Sequence, residues 1–305
     1  FHRAALSQVG QVRLAREEER EKLNERVMRE ILSSAFGVNQ RDTFLGTIIS
    51  TLGDMRIKLK PEIVNLILSF DADRSMVRIH GVPRDMANPI WLGNKGYNLH
   101  LLRQFDVKVP WGFVLTTEMY RCRTALEAYP RMKAALRRRI ISEIQTLEGL
   151  SGLTLGKSVN GRPPLLLSVR SGAAVSMPGV MTTFLNVGMN KEVAAELSRL
   201  PNFAWTAYDC YRRMIQIWGM SYGVDRDEFD SIMEHYKKKY GVERKLEFSP
   251  ANMARITDEY MALVNRNGIE IPDDPFEQVL EAMELVFSSW DSPRAKVYLE
   301  ELDLA

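Results

Sequence analysis

Two cations sit where an anion could be held. Lys95 lies in the turn Gly93-Asn94-Lys95-Gly96, with the start of an amphipathic pattern directly behind it. The free N–H groups and the dipole of a helix start favour an anion, and lysine adds a full positive charge. The GxxxxGK[ST] spacing of a P-loop is absent. Taken alone, the turn fits a surface loop with a solvated lysine more readily than a ligand site. Arg170 ends the apolar run Leu165–Val169 and precedes a loop of mostly small residues, SGAAVSMPG. Strand ends in α/β folds are common ligand positions, and small residues let backbone N–H groups approach a ligand. A guanidinium can hold a phosphate with two parallel hydrogen bonds. A structural salt bridge would explain Arg170 equally well. The run Arg137-Arg138-Arg139 reads as a solvated helix face, because three successive helical residues point in different directions.

The elements that must carry these cations follow from periodicity. Residues 5–34 read as one charged helix, with Leu23, Val27 and Ile31 as a narrow stripe and the i,i+4 pairs Glu18–Lys22 and Glu25–Arg29 on its surface. Residues 41–57 and 61–70 suggest further helices, the second with Pro61 at its first position. A Gly/Pro/Asn-punctuated stretch follows, and a boundary is placed near residue 85. Behind the lysine turn, Tyr97, Leu101 and Leu102, with Phe105 one turn on, mark an apolar face. Val109–Val114 reads as a short extended segment. Thr117 is placed to cap the next helix, with Glu118 in its first turn. Residues 130–150 are helical. Leu165–Val169 and Met181–Val187 are strand candidates. Tyr208, Tyr211, Met214, Ile215 and Trp218 share one helix face. A later stripe runs from Phe276 to Trp290, started by Asp274, Pro275 and a capping-box Glu277.

The composition is that of a globular chain: 45% hydrophobic and 26% charged residues over 305 positions. That length suggests two domains. The net charge of +2 leaves no nucleic-acid footprint. Cys122 and Cys210 are far apart, which argues against a disulfide scaffold or zinc site and fits a cytoplasmic location. No apolar run reaches the length of a membrane span. The chain starts at Phe1 and stops in helix-like sequence without a C-cap glycine, so it reads as a piece of a longer protein.

Taken together, the cation motifs carry a resemblance. WLGNKGYNLHLLRQFDVKVPWGFVLTTEMY resembles the opening of the pyruvate, phosphate dikinase family, with its GGKGxNL pattern, proline-glycine-phenylalanine segment and Thr-Thr pair. LLLSVRSGAAVSMPGVMTTFLNVGMN resembles that family's arginine loop almost residue for residue. AYDCYRRMIQIWG and VFSSWDSPRAKVY are similar to two later helical signatures, in the same order. Phosphoenolpyruvate synthases carry a different loop after VRS, so the dikinase branch is favoured. The resemblance runs from about residue 86 to 305.

It implies an α+β, helix-rich, ATP-grasp-like nucleotide-binding domain over 86–305, incomplete here and preceded by an all-α segment over 1–85. It implies ATP and Mg2+ as ligands, with the metal's carboxylates beyond Ala305. Lys95 and Arg170 correspond to the family's phosphate-contacting lysine and arginine. Gly96, Ser171, Gly172 and Arg213 complete the expected nucleotide-binding set. In the family the phosphoryl group passes from ATP to a histidine on a swivelling domain, and then to pyruvate on a barrel domain. Those partner domains are expected downstream; no nucleic-acid or membrane partner is expected, and a homodimer is allowed. His2, His80, His100 and His235 all lie outside the GGMTSHAA setting of the phospho-acceptor. Two departures stand out. Asn94 replaces the family's second glycine, which as a left-handed residue it would tolerate better than most. Thr182 replaces an acidic residue. They leave open a degenerate member with a regulatory or scaffolding role, or a related dikinase or synthase with another acceptor.

Overall fold

A computed structural model describes residues 59–172, 181–293 and 295–297, together with positions 22, 25, 46, 47, 49–51 and 53. The expected helix over 5–34 lies outside these except at Lys22 and Glu25, which are helical. Most of the expected 41–57 helix and the loop 173–180 also lie outside them. The chain divides into two units, Phe1–Leu68 and Ser69–Ala305.

In the first unit the described helix is α1 (Pro61–Leu68), which opens on Pro61. Its missing N–H is one that a first turn leaves unpaired in any case.

The second unit begins ahead of the sequence-read boundary at 85, because β1 (Met76–Arg78) pairs antiparallel with β2 (Phe113–Leu115). Between them runs α2 (Pro89–Gln104). Helices α3 (Thr117–Arg121), α4 (Arg123–Ala128) and α5 (Pro130–Ser151) follow. Thr116 caps α3, one residue before the expected position: its hydroxyl accepts from the Glu118 N–H and donates to the Arg74 carbonyl. That second bond ties the cap to the segment before β1, which a local pattern cannot show.

A second antiparallel pair, β3 (Leu167–Arg170) and β4 (Thr183–Val187), sets Arg170 opposite Thr183. Arg170 therefore ends an edge of a hairpin, not a parallel strand. The helices α6 (Lys191–Leu197), α7 (Ala204–Ser221), α8 (Arg226–Tyr240), α9 (Pro250–Arg266) and α10 (Pro275–Ser289) complete the unit, an α+β arrangement.

The core lies where α7 meets α9 and the β3–β4 hairpin. Tyr211, Met214, Ile215 and Trp218 are buried as the α7 stripe predicts. The Trp218 ring meets Phe184 of β4 edge-on at 5.0 Å. Gln278 on α10 is also fully buried. Its Oε1 accepts from the Gly188 N–H at 2.8 Å, and its amide donates to the carbonyls of Met189 and Pro272. A buried amide with all these bonds made fastens α10 to the turn after β4. Asp274 caps α10 by accepting from the N–H groups of Phe276 and Glu277. The Glu277 carboxylate does not close the expected capping box; it pairs with Arg137 of α5. Arg139 instead donates to Ala72 and Ser75, and Arg138 is exposed, so the arginine run is divided among three environments.

Candidate functional site

The lysine turn is built around Gly93. Asn88 caps the first turn of α2, accepting from the Trp91 N–H at 3.1 Å. Gly93, at φ 65° and ψ 166°, then breaks the helix, which resumes at Asn94. Lys95 is therefore in the first turn of a fresh helical stretch, where unpaired N–H groups collect. Asn94 is helical and absent from the residues with positive φ. The expectation that Asn94 carries the left-handed conformation is thus corrected: Gly93 carries it, as a residue without Cβ can.

Gly93 is also buried, and a Cβ there would overlap the carbonyl oxygen of Gly172. Reciprocally, a Cβ on Gly172 would come within 3.3 Å of the Leu92 carbonyl. Two glycine backbones cross here. Their contact lays the start of the arginine loop across the kink before Lys95. Gly96 is buried for another reason: a Cβ would stand 3.1 Å from a methyl of Val114 on β2. The apolar face read behind the turn is only partly used, since Leu102 is exposed and Phe105 is 77% exposed. The packed end of α2 is its start, where Leu92 meets Val77 and Met86.

The crossing brings Lys95 within electrostatic reach of Arg170. Partial desolvation and the charge of Arg170 hold the Lys95 amine below the ordinary lysine range. Among the described residues neither cation has a carboxylate partner or a side-chain hydrogen bond. Ser171 is buried, and among the described residues its Oγ has no partner either. Two neighbouring like charges cost energy unless an anion compensates them. The group therefore has the donor chemistry of a polyphosphate site: two cations, an orphan hydroxyl, a glycine at closest approach and helix N–H groups.

Arg213 belongs to a different set. On α7 its Nε lies 2.8 Å from Oδ2 of Asp209, whose side chain is 4% exposed. The described contacts tie Arg213 to Asp209 and not to Lys95 or Arg170. The Asp209, Arg212 and Arg213 spacing is legible as a one-turn helical cluster. Lys245, which reaches the same carboxylate from beyond α8, is not. Among the described residues no group of three His, Cys, Asp or Glu side chains could hold a metal ion. Among the described residues Cys122 and Cys210 form no disulfide.

No family model matches the chain. It is 37% identical over 221 residues to the pyruvate, phosphate dikinase of Giardia intestinalis, which covers 70% of this chain and 24% of that protein. It is 38% identical over 209 residues to the chloroplastic pyruvate, phosphate dikinase 1 of Zea mays, covering 68% of this chain and 21% of that protein. The dikinase of Clostridium symbiosum is 33% identical over 216 residues, covering 70% of this chain and 24% of that protein. Over about 70% of its residues the chain is thus a homologue of proteins named pyruvate, phosphate dikinase, as the motifs led us to expect, and it spans about a quarter of their length.

Proposed function

We propose, from this homology and from the paired cations, that residues 86–305 are the front part of an ATP-grasp-like module that binds the phosphates of ATP. Lys95 and Arg170 neutralise the phosphoryl oxygens, the Ser171 hydroxyl and the Gly96 and Gly172 N–H groups donate to them, and Arg213 contacts the same nucleotide. Fixed cations that meet charge developing on a transferring phosphoryl group are the main catalytic contribution a protein can make to this chemistry. Mg2+, held by carboxylates beyond this chain, supplies further charge neutralisation when bound. In the longer protein the phosphoryl group passes to a histidine on a downstream domain and on to pyruvate.

The observation that carries the proposal is that Lys95 and Arg170 sense each other across the glycine crossing with no ion pair to either among the described residues. Asn94 does not weigh against it, because a helical asparagine leaves the kink at Gly93 intact. Calorimetric titration of ATP into a longer form that includes the downstream half tests the assignment. Lys95→Ala and Arg170→Ala should each weaken binding by about tenfold or more, the value of a lost charge-assisted hydrogen bond. Equal affinity in both variants would sink the roles given to these residues.

A further inference from the structure

Asp209 stands at the centre of a charge cluster that does not balance. Its Oδ1 accepts from Nε and Nη2 of Arg212 at 3.0 and 2.8 Å, and Arg212 is almost as buried as Asp209 itself. The third Arg212 nitrogen donates to Gln216 at 3.0 Å, and its guanidinium lies over the Tyr260 ring. Arg212 is therefore fully committed, and it alone neutralises the carboxylate. Two more cations converge on the other oxygen: Arg213 Nε at 2.8 Å and Lys245 Nζ at 3.4 Å. These two are not buried; their side chains are 49% and 37% exposed. Of the two acids on the Lys245 segment, Glu247 is taken by Arg244, and Glu243 makes no ion pair with Lys245 among the described residues. The Nη groups of Arg213 make no hydrogen bond among the described residues. Lys245 also lies over the Trp205 ring at 5.8 Å, and the Trp205 indole N–H is buried with no partner among the described residues. Two surplus charges, spare guanidinium donors and an orphan indole donor thus share one partly desolvated spot.

We propose that Arg213 and Lys245, braced on Asp209, form a two-pronged clamp for phosphate oxygens, with Lys245 a binding residue and Asp209 a positioning residue. The proposal rests on the reading of Arg213 as a nucleotide contact and extends it to a lysine 32 positions further along the chain. The brace has a physical purpose. Long cationic side chains lose rotamer freedom on binding, and a buried carboxylate that already holds both reduces that cost.

Titration of the longer form that includes the downstream half, with ATP and with inorganic tripolyphosphate, tests it, alongside thermal melts without ligand. Lys245→Gln should weaken both ligands about tenfold at an unchanged melting temperature, and Lys245→Arg should restore most of the loss. Asp209→Asn should weaken both as well; if it does not fold, the two Lys245 variants decide. If Arg213→Ala weakens binding while Lys245→Gln does not, the clamp is wrong and the role of Arg213 stands. If Arg213→Ala has no effect, or the unaltered longer form binds neither ligand, the reading of Arg213 fails and the clamp with it. A Lys245→Gln loss that tracks a lowered melting temperature, unrescued by arginine, assigns Lys245 to structure alone and overturns the proposal.

Discussion

Lys95 and Asp209 are perturbed in ways that can be measured. The Lys95 amine is lowered first by desolvation and then by Arg170. Arg170→Gln removes the second cause, so the Lys95 pKa should rise, read by carbon NMR titration of the lysine side chain. An unmoved titration would mean the two charges do not sense each other. A lysine lowered in the folded state is held there less comfortably when charged than in the unfolded chain. Its contribution is unfavourable at neutral pH, fades as pH rises through the lowered folded value and is gone above the unfolded one, unless a bound anion reverses the sign. Asp209 works the other way. Burial would raise its pKa, but Arg212, Lys245 and Arg213 outweigh burial and hold it below the usual 3.8. Its stabilisation is present above that value and lost as pH falls through the folded one. Asp209→Asn removes this acid limb and strands the buried Arg212, a loss of about 3–5 kcal/mol at neutral pH. Urea melts at pH 7 and pH 3 should therefore differ less in the variant than in the unaltered protein. The cations themselves are plain in the sequence, and so is the one-turn spacing of Asp209, Arg212 and Arg213. What each cation faces is not, because Lys95 and Arg170 stand 75 positions apart and Lys245 and Asp209 36, and such partners have no local signature.

The glycine crossing turns two separate motifs into one site. Gly93→Ala puts a methyl group onto the Gly172 carbonyl and forces an L residue into a positive φ. We expect a loss of about 3 kcal/mol or more in stability, or a displaced arginine loop, with ATP affinity falling in either case. Asn94→Gly is the contrasting change: it restores the family pattern in a helical turn and should alter stability by under about 1 kcal/mol and ATP affinity hardly at all. If Asn94→Gly improved binding strongly, the helical placement of Asn94 would be wrong. Most helices were readable, since proline starts, aspartate and asparagine caps and 3.6-residue stripes are local. Their corrections came from distant partners. Thr116 displaced Thr117 as a cap because Arg74 offers an acceptor, and Glu277 left its capping box for Arg137. Gln278 interrupts an apolar stripe, and only the turn at Gly188 explains it.

The 305 residues hold no histidine in the phospho-acceptor setting, and the aligned stretch covers only 24% of the Giardia relative. The purified chain should therefore make no phosphoenolpyruvate from pyruvate with ATP and phosphate, a result that a coupled assay checks directly; measurable turnover would overturn the division of labour proposed above. No helix among the described residues is long and apolar enough to cross a membrane. The sequence by itself determined the helix-rich α+β character, the cation types and the order of motifs that led to the dikinase family, because each depends on residues within a turn or two, or on the linear order of short strings. Only the tertiary structure decided that Gly93 rather than Asn94 takes the left-handed turn, that Gly172 crosses it, and that Lys245 joins Arg213 on Asp209. Those contacts join positions far apart in the chain, and they exist because strands and helices packed on a common core bring the backbones together.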